Sequence, residues 1–150
     1  MDEDFAAYLH KVRAHRGELG DAMRALDDAL GLPAGLGTLW RRRVRAALTE
    51  LAHDLRVHVE LTESEGGLHA DVRSRSPRLI SKLEALQADH VYFLDEVDRL
   101  LAARDDGAAA VDTNAHREAV GALLRRLVRH RQRGSDLVYE AYVVDIGGSD

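Results

Sequence analysis

The chain of 150 residues has no cysteine. That excludes disulfides, thiolate metal sites and cysteine nucleophiles. Aromatics are scarce, at 5%, and the two prolines, Pro33 and Pro77, both fall between helical stretches. No apolar run approaches the roughly 20 residues a bilayer requires, so no membrane partner is expected. The acidic start, MDEDFAAYLHKVR, lacks the hydrophobic centre of a signal peptide, and a cytoplasmic protein is expected. Basic residues are not in excess: 21 Lys and Arg against 26 Asp and Glu leave a net charge of −5, which argues against nucleic acid as a partner. There is also no glycine-rich phosphate loop, nucleophile elbow or zinc-finger spacing.

What is present is a helical palette dominated by Leu, Ala and Arg, long enough for one domain over 1–150 with a substantial core. Apolar residues recur at alternating intervals of three and four, which puts them on one face of a helix. The first stripe is Phe5, Tyr8, Val12, His15, Leu19, Ala22, Leu26 and Ala29. One proline and three glycines in GLPAGLG (31–37) end it, with Thr38 as the expected cap of the second helix. The second stripe is Leu48, Leu51, Leu55, His58, Thr62 and Glu65, with Trp40 and the Arg-rich WRRRVR (40–45) on the outer side.

Gly66-Gly67 should end or bend that helix, and HADVRSRSP (69–77) reads as a short extension and turn, with Ser76 capping and Pro77 opening the third helix. The third stripe is Leu79, Leu83, Leu86, His90, Phe93, Val97 and Leu100. After a loop over 103–112, capped by Thr113 or Asn114, the fourth is Val120, Leu123, Leu127, His130, Gly134, Leu137, Ala141 and Val144. A kink or a brief break is expected at Gly134 and fraying in the final IGGSD. The pattern predicts an all-α, up-down-up-down antiparallel four-helix bundle.

Each stripe carries one histidine near its middle: His15, His58, His90 and His130. One inward histidine is ordinarily a satisfied core residue. Four at a common depth are another matter, because every buried ring needs partners for two nitrogens. Neutral imidazole is the commonest metal ligand, and nitrogen donors favour iron, zinc, copper or nickel. Asp54, one turn before His58, is a candidate partner for its second nitrogen. His10, His53, His69 and His116 lie off the stripes and are expected in solvent.

These residues resemble a bacterial hemerythrin-like domain of the histidine-histidine-glutamate cation-binding type. The resemblance covers nearly the whole chain. It rests on His15, on His58 with the trailing Glu63-Ser64-Glu65-Gly66, on Leu86 and His90, and on His130 followed by LVYEAYVVDIGGSD (137–150). It implies a four-helix bundle around a non-haem di-iron centre, with dioxygen, peroxide or nitric oxide as small partners. The family usually carries a carboxylate four residues after the second-helix and fourth-helix histidines, and here those positions are Thr62 and Gly134.

Glu63 and Asp136 are the nearest replacements for the missing acids. Glu65 and Glu140 lie two turns from their histidines and suit only a second polar layer. A changed cargo is the alternative, because Thr62 and Gly134 remove charge and bulk together beside His58 and His130. Four imidazoles can hold one zinc or iron, two opposed ones a haem b, and the space gained can admit a small-molecule substrate, as in an enzyme of specialised metabolism. A metal-free bundle with a structural or partner-binding role is the remaining reading.

Overall fold

The computed structural model describes residues 3–102 and 113–144. The described chain is helical, with no strand among those residues. There are four long helices, α1 (Glu3–Leu30), α2 (Thr38–Glu63), α4 (Ile80–Ala102) and α5 (Thr113–Tyr139), with a short α3 (Leu68–Arg75) between α2 and α4. Each long helix packs on its successor in the series α1, α2, α4, α5, and α5 touches α1 more sparingly. No helix among the described residues is long and apolar enough to cross a membrane.

The three-four stripes are the buried faces. Leu19, Leu26, Leu48, Leu51, Leu55, Phe93, Val97, Leu123 and Leu127 form the larger apolar cluster with Trp40. A smaller cluster joins Leu68, Val72, Leu79, Leu83, Leu86, Leu137 and Ala141. Along the chain the central histidine of each long helix falls between residues of, or packed against, these two clusters: between Tyr8 and Leu19, Leu55 and Leu68 of α3, Leu86 and Phe93, Leu127 and Leu137. The fold therefore holds a polar layer between two hydrophobic ones.

Several details differ from the sequence reading. Trp40 is not on the outer side but buried at 1% exposure, one turn before Val44 and two before Leu48, with Arg117 over its ring at 5.3 Å. Thr38 does not cap α2; Gly37 does, at φ 58°, without a side-chain bond. Ser76 makes no capping bond either, and Pro77 opens a 3-10 turn (Pro77–Leu79) that runs into α4. There is no break at Gly134: α5 continues to Tyr139 before widening into a π-helical turn (Glu140–Val144). Helix α5 begins at Thr113, while the expected loop at 103–112, the tail at 146–150 and the side chains of Phe5 and Val144 lie outside the described residues.

The turn after α2 positions the rest. Gly66 adopts φ 77°, and a Cβ on Gly67 would sit 2.9 Å from the carbonyl oxygens of Leu61 and Ser64. Only glycine fits that close return. The Tyr8 hydroxyl then ties α1 to both sides of the turn, donating to the Leu61 carbonyl and accepting from the Leu68 amide at 2.8 Å. Helix α3 is thereby folded back over the bundle, and the Tyr142 hydroxyl, donating to Asp71, holds it from the other end.

Burial predicts a steep contrast along α5. Leu123 is fully buried and Val128 is 59% exposed. Leu123→Ala should cost about 2–5 kcal/mol in urea unfolding, and Val128→Ala about 0.5 kcal/mol or less.

Candidate metal centre

Three of the four central histidines meet. One nitrogen from each of His58, His90 and His130 lies within 4.8 Å of the others. The closest pair is Nε2 of His90 and Nε2 of His130, 3.2 Å apart. The fourth, His15, is stacked on His58 with ring centroids 5.9 Å apart, one ring out from the tight group. It is buried, both its nitrogens lack a hydrogen-bond partner, and its Nδ1 lies 3.7 Å from the Glu18 carboxylate.

The outer nitrogens of the closest pair are committed to carboxylates. His90 Nδ1 meets Glu63 Oε2 at 2.5 Å, and His130 Nδ1 meets Asp89 Oδ2 at 3.0 Å. A carboxylate accepts only, so Nδ1 carries the proton in both rings and each Nε2 presents a lone pair. Two lone pairs at 3.2 Å repel each other unless a cation or a shared proton lies between them. This is the carboxylate–histidine arrangement that orients metal-ligating imidazoles. Two nitrogens bound to a tetrahedral ion at about 2.0–2.1 Å are themselves roughly 3.4 Å apart.

Of the two supporting acids, Glu63 is one the sequence singled out, as a replacement for a missing acid, and Asp89 is not. Asp54 makes no bond to His58; its carboxyl is raised by burial, with His15 and His53 pulling it down. Asp89, adjacent to His90 in sequence but bonded across to His130, does that work on α5. Burial alone would raise the Asp89 carboxyl, but bonds from His130 and from Arg126 (3.1 and 3.2 Å) outweigh it and hold it below the usual range. Glu63 reaches the site at His90 Nδ1 and stands behind that ring. Glu65 is exposed, Asp136 accepts from Gln132 at 3.0 Å, and Glu140 pairs with Lys82 and Arg78; none of these three joins the cluster of nitrogens.

His69 was expected in solvent and is instead buried, stacked on His90 with centroids 5.5 Å apart and planes 9° from parallel. Its Nδ1 lies 3.3 Å from the Gln87 side-chain amide. His10 and His53 are exposed, and His116 is half-buried with its edge against Trp40.

Thr62 and Gly134, the two positions without carboxylates, line one cavity of about 100 Å³ beside His58, His69 and His130. The Thr62 hydroxyl donates to its own helix at His58 O, 2.8 Å away, and a Cβ on Gly134 would meet nothing within 4 Å. A di-iron pair needs anionic oxygens to offset its charge, and neither position supplies one. The donor set fits a single ion. It fits a haem poorly, since Phe93 packs edge-on against His130 and His69 covers His90, where a macrocycle would have to lie.

Electrostatically the layer is kept neutral. Burial first, and then the neighbouring histidines, push His58 down to about 2. Burial and His130 take His90 to about 3, and burial with His90 takes His69 to about 4. His130 is also lowered by burial, partly offset by Asp89. An unfolded histidine titrates near 6.5, so between that value and the folded ones the unfolded chain binds more protons. Above about pH 6.5 the rings are neutral in both states, and below it stability falls with acidification through the range down to the folded values. The metal-free protein should show a clearly lower urea midpoint at pH 5 than at pH 7; equal midpoints would mean the rings are not held neutral. No protein family, curated protein or solved structure compared with this chain matches it.

Proposed function

We propose that this chain is a metal-binding, hemerythrin-like bundle that holds a single transition-metal ion, iron, at His58, His90 and His130, with His15 as fourth donor. The observation that carries the reading is the 3.2 Å approach of two Nε2 atoms whose Nδ1 partners are both carboxylates. Of the two outer rings, His69 has Gln87 on one nitrogen while His15 has no partner on either, so His15 carries the unmet demand. The apolar clusters support the up-down-up-down order: the larger one draws on late α1, early α2, late α4 and early α5.

Bound iron supplies affinity for dioxygen, peroxide or nitric oxide. The chain's own residues do the rest. Glu63 and Asp89 hold the imidazole tautomers, the leucine layers exclude water from two sides, and the Thr62–Gly134 cavity leaves open space beside the ligands. The missing acids set the stoichiometry at one ion rather than two.

Metal analysis of the freshly purified protein, with its absorption spectrum, tests this directly. About one iron per chain is expected, without the near-ultraviolet bands of an oxo-bridged pair or the Soret band of haem. A colourless protein holding zinc would move the site to a different ion, and a metal-free one would leave a structural histidine layer. His90→Ala should abolish binding, and a variant that keeps full stoichiometry would remove this assignment. Thr62→Glu with Gly134→Glu should raise the iron content towards about two per chain; no rise would show that carboxylate loss does not set the stoichiometry.

A further inference from the structure

Two cavities abut the histidine layer, and their linings differ in charge. Histidines aside, the charged residues lining the one beside Thr62 and Gly134 are Arg16 and Arg131, with no acid among them. The other is a groove of about 510 Å³ between α1 and α2, lined by His15, Glu18, Glu60, Ser64 and Lys11. The Glu18 side chain is 70% exposed, and Glu60 is exposed as well. Among the described residues neither acid forms an ion pair with Lys or Arg. His15 is only 5% exposed, yet it lines this groove and has no hydrogen-bond partner on either nitrogen.

A buried imidazole with neither nitrogen satisfied carries an unmet demand, and this one meets it beside a carboxylate. His15 Nδ1 lies 3.7 Å from Glu18 Oε2, too far for a hydrogen bond. The spacing suits an ion, since two donors each about 2.1 Å from one metal stand at most about 4.2 Å apart. The same ring stacks on His58, so it links an exposed acid to the group of three nitrogens. Carboxylate and imidazole together are donors that divalent transition metals accept. Unpaired acids at a groove concentrate cations there and speed their capture, whereas Arg16 and Arg131 oppose a cation at the other cavity.

We propose that the α1–α2 groove is a capture site for a divalent transition-metal cation and its entrance to the histidine layer. Glu18 and Glu60 draw the ion in, and His15 is the first nitrogen donor it meets. The inference rests on the metal reading and deepens it, adding a route and two acids outside the ligand set. Both acids lie at the surface, so their amide variants keep the fold.

The test is stopped-flow uptake of Co²⁺ by the metal-free full chain at low ionic strength, followed by the absorption of the bound ion. Glu18→Gln combined with Glu60→Gln should slow the second-order rate about tenfold, with excess Co²⁺ still reaching about one ion per chain. Lys11→Gln, which removes the groove's cation, should speed it. Added salt should slow the parent more than the double variant. Glu84→Gln combined with Asp95→Asn takes the same charge from exposed positions on α4 and should leave the rate at the parent value. An unchanged rate in the groove variant, or equal slowing by the α4 pair, would overturn the entrance while the metal reading stands. A parent chain that takes up no Co²⁺ would remove both.

Discussion

The bonds from Glu63 and Asp89 to the outer nitrogens of His90 and His130 govern the rest of the interior. Without them either ring could offer either nitrogen. With them, both inner nitrogens present lone pairs to the same point, an arrangement that is unfavourable when left unfilled. Burial compounds the constraint by keeping the imidazoles uncharged, so the layer cannot relieve itself by taking up protons near neutral pH. The leucine clusters on either side supply the folding energy that holds such a layer in place. A sequence with leucine at these positions would make a simpler core, since each buried imidazole needs partners for its nitrogens that leucine does not.

The helices were legible because their buried faces follow a strictly local rule. His15, His58, His90 and His130 stood out as interruptions in stripes that otherwise read as leucine and valine. Trp40 could have been found by the same counting, since Trp40, Val44 and Leu48 are spaced by four. Gly134 misled in the opposite sense: its low intrinsic helix propensity suggests a break, but packing on both sides of it carries α5 through.

The remaining parts of the site depend on contacts that no spacing encodes. His69 enters only because Gly66 and Gly67 reverse the chain and Tyr8 pins the reversal, so its neighbour His90 lies on another helix. Asp89 lies off the α4 stripe and reaches across to α5, a pairing set by how two helices cross. The cavity is a product of absence, a missing side chain at 134 and a short one at 62. A sequence shows which side chains are small but not whether neighbours close over the gap.

Asp89 serves two masters, accepting from the interior ring of His130 with one oxygen and from Arg126 with the other. Arg126 in turn lies over Tyr92, 3.9 Å from the centre of that ring, at the edge of the bundle where solvent begins. The orientation of a deeply enclosed imidazole is thus tethered to a guanidinium that mobile counterions can reach. Ionic conditions outside the molecule thereby bear, through one aspartate, on the orientation of a ring at its centre.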